Sequence, residues 1–121
     1  RVLVVDDNAD AALTLELLLR SLGHETHVVH DGMAALEAAR RFQPDLVLLD
    51  IGMPGIDGYE VARRLRGLGQ ERALRIVAVT GWGADADRRR SHEAGFDVHL
   101  VKPLDPDDLA RVLERSGPTL H

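Results

Sequence analysis

The sequence predicts an α/β fold in which a five-stranded parallel sheet carries helices on both faces. Short apolar runs such as residues 46–49 are the first indication, because strands buried on both faces of a parallel sheet are continuously apolar. The second is their alternation with longer segments rich in Leu and Ala, through short connections. The third is the abrupt end of these runs in polar residues such as Asp50, at the sheet edge where open α/β folds place their chemistry.

Composition predicts one domain, residues 1–121, and excludes several classes of protein. The 45% hydrophobic content suits one core, and no apolar run approaches the ~20 residues of a membrane span. The absence of cysteine excludes a disulfide framework and thiol catalysis. The net charge of -5 disfavours direct nucleic-acid binding.

The chain opens with Arg1 and a short apolar run, without an initiator methionine or a signal segment. We therefore expect a cytoplasmic domain excised from a longer polypeptide. The parent protein can be membrane-anchored, but we expect no membrane contact by the domain itself.

The first half of the chain contains three strands and two helices in this prediction. Strands are expected at residues 2–5, 26–30 and 45–49, and helices at 9–22 and 33–42. Asn8 or Asp7 can cap the first helix, and Gly23 can end it. Asp31 and Gly32 turn the chain into the second helix.

The second half repeats the alternation. Asp57 and Gly58 open a third helix with Val61, Leu65 and Leu68 on one face. Strands at 76–80 and 96–101 flank a fourth helix at about 84–94, which lacks large apolar residues and should be the most weakly held. A last helix, capped by Asp105, turns Leu109, Val112 and Leu113 inward.

Four strand ends carry polar residues, namely Asp6 with Asp7, Asp50, Thr80 and Lys102. These side chains should converge, because the carboxyl ends of parallel strands lie along one edge of a sheet. Two carboxylates ~4 Å apart repel by on the order of 4 kcal/mol at an effective dielectric of about 20. The positive charge of Lys102 offsets part of this repulsion. The carboxylate oxygens suit Mg²⁺, whose charge would offset the rest. Each residue alone is an ordinary cap or turn residue; their conjunction indicates a site.

Together these residues resemble the receiver domain of two-component response regulators, over essentially the whole chain. The matching motifs are Asp6-Asp7, Asp50, Met53-Pro54-Gly55, Asp57-Gly58, Thr80-Gly81 and Lys102-Pro103. Residues 80–83 and 102–105 are most similar to receivers at the C-terminus of hybrid sensor histidine kinases. The resemblance implies a flavodoxin-like sheet of order 2-1-3-4-5.

The resemblance also implies a chemistry. Asp50 would accept a phosphoryl group from the phosphohistidine of a histidine kinase, in a two-component phosphorelay. Asp7, Asp50 and the carbonyl of Gly52 would hold Mg²⁺, with Asp6 acting chiefly through a bound water. Lys102 and the hydroxyl of Thr80 would bind phosphoryl oxygens. The domain would catalyse its own phosphorylation and dephosphorylation without being a turnover enzyme.

A switch follows from the same resemblance. Thr80 would move toward the phosphoryl group and reshape the surface formed by the fourth helix, the fifth strand and the last helix. Two switch positions depart from the common pattern: Trp82 replaces a polar residue, and His99 replaces the usual Tyr or Phe. A cis peptide at Lys102-Pro103 is also expected.

The expected partners are a histidine kinase or its phosphotransfer domain, and the rest of the parent chain. A hybrid kinase fits that parent chain better than a free-standing regulator does.

Three other functions compete with the receiver hypothesis. A phosphatase of the haloacid-dehalogenase type also uses an Asp nucleophile, but it expects a second Asp where Gly52 stands. A flavodoxin-like electron carrier conflicts with Asp6 and Asp7, which would repel a flavin phosphate. A pseudo-receiver that only binds partners would not need all the acceptor residues.

Overall fold

The computed structural model describes residues 1–51, 58–68, 74–80, 93–101 and 104–116. Its strands are β1 (Val2–Val5), β2 (Thr26–Val29), β3 (Leu46–Asp50), β4 (Arg75–Thr80) and β5 (Val98–Val101). Its helices are α1 (Ala9–Ser21), α2 (Gly32–Phe42), α3 (Gly58–Arg66) and a C-terminal helix (Pro106–Ser116). All strand pairs are parallel, in the order β2-β1-β3-β4-β5, so the predicted fold class and strand order are confirmed.

The central strands are buried on both faces, and successive side chains enter different cores. One core, here called the α2–α3 face, joins the sheet to α2 and α3. Its sheet residues are Leu3, Val5, Val47, Leu49, Ile76 and Ala78. The other core, here called the α1 face, joins the sheet to α1 and the C-terminal helix. Its sheet residues are Val2, Val4, Leu46, Leu48, Val77 and Val79.

Helix ends follow the predicted capping residues. The Asn8 side chain accepts hydrogen bonds from the backbone N–H groups of Asp10 and Ala11, so Asn8 rather than Asp7 caps α1. Asp31 caps α2 by accepting from the Ala34 N–H at 2.7 Å. Gly23 follows α1 at φ +92°, a left-handed conformation that favours glycine.

Several boundaries differ from the prediction. Asp50 is the last residue of β3 rather than the first residue after it, and β5 begins at Val98 rather than residue 96. Of the predicted fourth helix, Glu93 and Ala94 are described and helical; the rest lies outside the described residues. Among the helices described, none is long and apolar enough to cross a membrane.

Arg66 ties the end of α3 to the two strands beyond it. Its guanidinium donates hydrogen bonds to the carbonyls of Leu74 and Gly95 and to the Asp97 carboxylate, which also accepts from the Ile76 N–H. A Cβ on Gly95, which has a φ of +103°, would lie 2.8 Å from Arg66 Cγ. One charged side chain therefore joins segments up to 31 residues apart in sequence.

Arg66→Ala is expected to lower the free energy of unfolding by about 2 kcal/mol, since hydrogen bonds to charged groups contribute roughly 1.5–3 kcal/mol. Arg63→Ala is the matched control, because within the described part of the chain the Arg63 side chain makes one ion pair, an exposed one with Glu60 in α3. That loss should stay below about 1 kcal/mol. Urea unfolding followed by circular dichroism measures both, and equal midpoints for the two variants would contradict the role given to Arg66.

Candidate functional site

Three carboxylates meet where β1 and β3 end. The register pairs Val5 with Leu49, which places Asp6 beside Asp50, with Asp7 next in the chain. Asp6, Asp7 and Asp50 each offer one oxygen, and these oxygens all lie within 4.8 Å of one another. Asp6 and Asp50 are buried, whereas Asp7 is exposed. The three carboxylates predicted at the strand ends therefore lie close together, and such a group of oxygens can hold a divalent cation.

The backbone around Asp6 is held from three directions. Its N–H donates to the Val29 carbonyl at 3.1 Å, and its side chain accepts from the Asn8 N–H at 2.9 Å. The His30 imidazole donates from Nδ1 to the Asp6 carbonyl at 3.0 Å. This role of His30 was missed in the sequence. His30 directly follows β2 as Asp6 directly follows β1, and this matching position is the feature of the sequence that could have indicated their contact.

Thr80 ends β4 next to this cluster. Asp50 pairs with Val79 in the β3–β4 ladder, so Thr80 is one residue beyond Asp50 along the strands. Thr80 is 3% exposed, and its Oγ1 is buried without a hydrogen-bond partner among the described residues. An unpaired buried hydroxyl is unfavourable in the unliganded protein, and a phosphoryl oxygen would give it a partner.

His99 shares a face of the sheet with Thr80. Val98 and Leu100 pack toward the α1 face, so His99 points to the α2–α3 face, as Thr80 does by the same alternation in β4. The His99 ring lies 6.1 Å from that of Phe96, which makes an edge-on contact with Tyr59. The arrangement fits the predicted coupling of Thr80 and His99, which stays a prediction.

A cavity of about 580 Å³ adjoins the buried carboxylates on the α1 face. Asp6 and Asp50 form its polar end, and Thr14 on α1 adds a hydroxyl. The remaining lining is apolar, from Val4, Val5, Ala11, Leu15, Leu18, Leu48, Val79 and Leu104. The site therefore has room beside Asp50 for a group larger than water.

Four predicted positions lie outside the described residues. These are Gly52, Trp82, Lys102 and Pro103. The Gly52 carbonyl as a metal ligand, Trp82 in the switch, Lys102 on the phosphoryl group and the cis peptide before Pro103 stay predictions.

The order of the sheet and the acidic cluster at its carboxyl edge are those of a receiver domain. The family model described as "Response regulator receiver domain" matches residues 2–114. The chain belongs to this family and is a receiver of two-component signalling. The haloacid-dehalogenase and pseudo-receiver alternatives are not favoured.

Named relatives of the chain agree with its membership of the receiver family. The DNA-binding response regulator MtrA of Mycolicibacterium paratuberculosis is 42% identical over 116 residues, covering 95% of this chain and 50% of MtrA. The chain thus spans about half the length of such relatives. The sensor protein GacS of Pseudomonas syringae is 38% identical over 116 residues, covering 93% of this chain and 13% of GacS.

A solved structure extends the comparison to the site. It is the receiver domain of a sensor histidine kinase from Pseudomonas aeruginosa PAO1, with a magnesium ion coordinated in its active site cleft. It superposes with a TM-score of 0.81 at 35% identity, covering 94% of this chain and 93% of that one. With GacS, it supports the predicted likeness to receivers of sensor kinases.

Thr80→Val is expected to raise the free energy of unfolding of the unphosphorylated protein by about 1 kcal/mol, since it removes an unpaired buried hydroxyl. Thr26→Val is the matched control. Thr26 is also a buried strand threonine, but its Oγ1 donates to the His24 carbonyl at 3.2 Å. The free energy of unfolding of the Thr26→Val control should fall by about 1 kcal/mol. Urea unfolding distinguishes the two signs, and destabilisation by Thr80→Val would contradict the unpaired state of its hydroxyl.

Proposed function

We propose that Asp50 is the phosphoacceptor of this receiver and that its phosphorylation requires Mg²⁺. The observation that carries the proposal is the convergence of Asp6, Asp7 and Asp50 within 4.8 Å, where β1 and β3 end. Asp50 is the member that ends β3, in the middle of the sheet and beside Thr80. A group bound there has acidic residues on the β1 side and a hydroxyl on the β4 side.

The phosphoryl donor is a phosphohistidine. An Asp50 carboxylate oxygen forms a bond to phosphorus as the phosphorus–nitrogen bond breaks, and the electron pair of that bond stays on the imidazole, which takes up a proton. Thr80 Oγ1 donates to an oxygen of the transferred group, and Lys102 neutralises part of its charge. Phosphoryl transfer depends mostly on positioning and on neutralising spreading charge, and Thr80 and Lys102 would contribute to both together with Mg²⁺.

The donor set fits Mg²⁺. Asp7, Asp50 and the Gly52 carbonyl would hold the ion directly, and Asp6 would bind one of its waters. All of these ligands are oxygens, and two or three carboxylates with waters and a phosphate are the environment that Mg²⁺ prefers. When bound, the ion supplies positive charge that offsets the carboxylates and the phosphoryl oxygens.

The output of the domain is a change at the surface of the predicted fourth helix, β5 and the C-terminal helix. Phosphorylation adds roughly −1.5 to −2 charges beside an unpaired Thr80 hydroxyl, so movement of Thr80 toward the phosphoryl group is favourable. The space that Thr80 vacates on the α2–α3 face becomes available to the His99 side chain. Trp82 belongs to the proposed switch because it lies two residues from Thr80 in the chain.

The partners that we propose are a histidine kinase or a phosphotransfer domain, which includes one in the same parent chain. This assignment is supported by the likeness to both MtrA and GacS. The cytoplasmic location stays a prediction, which fractionation of cells expressing the full-length parent protein would test.

The test is phosphorylation of the wild-type chain by acetyl phosphate, followed by intact mass. Addition of one phosphoryl group in the presence of Mg²⁺, and none after chelation with EDTA, is expected. Mg²⁺ alone should stabilise the protein, by about 2.7 kcal/mol at 100 times its Kd. Labelling that is equally fast in EDTA would overturn the requirement for Mg²⁺, and no labelling in either condition would overturn the acceptor role.

A further inference from the structure

The first residue of α3 packs directly on the residue that follows Asp50. Gly58 is buried, and a Cβ built on it would lie 2.8 Å from Ile51 Cα and 3.0 Å from both Ile51 Cβ and Cγ2. Side-chain carbons in proteins do not approach so closely, so any larger residue at 58 must displace something. The nearest atom belongs to the Ile51 backbone, which cannot rotate away as a flexible side chain would.

Ile51 is held on its other side as well. Its N–H donates to the Val79 carbonyl at 3.1 Å, which extends the β3–β4 ladder one step past Asp50. Its side chain is partly buried against the α2–α3 face. Ile51 is thus enclosed between β4 and the start of α3, and it is covalently bonded to Asp50 on one side and to Gly52 on the other.

We infer that Gly58 is a positioning residue for the phosphoacceptor site. Its missing side chain lets the start of α3 press against the Ile51 backbone, which holds the adjacent Asp50 in place for metal binding and phosphoryl transfer. The inference rests on the proposed function of Asp50. Gly58 itself contacts no reacting atom; it acts through Ile51.

The experiment compares Gly58→Ala with Gly67→Ala, which makes the same change just after α3. A Cβ on Gly67 would meet no atom closer than 3.5 Å, an ordinary contact. Each variant is phosphorylated with acetyl phosphate at saturating Mg²⁺ and followed by intact mass, and Mg²⁺ affinity is measured by calorimetry. Circular dichroism and urea unfolding report whether each variant is folded.

Gly58→Ala must shift Ile51 and the start of α3 relative to each other by several tenths of an ångström. A 1 Å misplacement can lower a rate roughly 100-fold. We therefore expect phosphorylation to slow about tenfold and Mg²⁺ binding to weaken, whereas Gly67→Ala stays within about twofold of wild type. A folded Gly58→Ala variant with wild-type rate and Mg²⁺ affinity would overturn the inference. Failure of the wild-type chain to be labelled would instead overturn the proposed function.

Ile51→Ala supplies a second background, because it removes Cγ2 but leaves the Cα and Cβ contacts. We expect Gly58→Ala to slow phosphorylation by the same factor in both backgrounds, since the backbone contact persists. A harmless Gly58→Ala in the Ile51→Ala background would overturn backbone positioning and assign the effect to the Cγ2 methyl. Loss of the folded state in both proteins that carry the Gly58→Ala substitution would assign Gly58 to folding alone and also overturn the inference.

Discussion

Replacing Asp50 with asparagine is expected to abolish phosphorylation by acetyl phosphate or by a phosphorylated kinase. The amide is a poor nucleophile and cannot form the acyl phosphate, and loss of a nucleophile lowers rates by about three orders of magnitude or more. Asp6 and Asp7 remain in the variant, but they lie at the end of β1 rather than beside Thr80. We expect no phosphoryl group by intact mass under conditions that label the wild type fully.

Asp108→Asn is the matched control for this loss, since it removes one exposed carboxylate from the first turn of the C-terminal helix. It should be labelled at the wild-type rate. Circular dichroism should show that the Asp50→Asn protein is folded, because the substituted side chain is almost the same size. Labelling of Asp50→Asn at any of the remaining carboxylates would refute the assignment of Asp50 as the only acceptor.

Asp7→Asn should weaken Mg²⁺ binding by at least about 100-fold, because loss of an outer partner of a metal ligand alone costs roughly 10- to 100-fold. In the absence of Mg²⁺ the same change should raise stability slightly, by up to about 1 kcal/mol, because it relieves repulsion within the acidic cluster. The stability effect is small since Asp7 is exposed and solvent screens its charge. One substitution thus changes metal affinity and metal-free stability in opposite directions.

Calorimetric titration with Mg²⁺ and urea unfolding in EDTA measure the two effects. Asp10→Asn serves as the control, because Asp10 is an exposed acid in the first turn of α1 and is not a member of the cluster. It should leave Mg²⁺ affinity within about threefold. Wild-type affinity in the Asp7→Asn protein would remove Asp7 from the proposed ligands.

Periodicity and capping residues determined the local structure of this protein. The apolar runs predict the three central strands, β1, β3 and β4, because a strand buried on both faces has no position for a polar side chain before its end. Asn8, Asp31 and Gly23 mark helix ends, since each provides a hydrogen bond or a backbone conformation that the ends of helices require. The acidic cluster was predictable for a related reason: parallel strands end together, so polar residues at their ends must meet.

Contacts between distant segments were decided only by the tertiary structure. Nothing in the sequence near Arg66 indicates that it reaches Asp97. The position of His30 after β2 places it near Asp6, but only the folded structure shows that it donates to the Asp6 carbonyl. Whether any described residue pairs with the Thr80 hydroxyl depends on how β4 packs, and none does. The approach of Gly58 to Ile51 depends on where α3 lies against the sheet. Periodicity states which face of an element is buried, whereas distances of a few tenths of an ångström arise only when the elements pack.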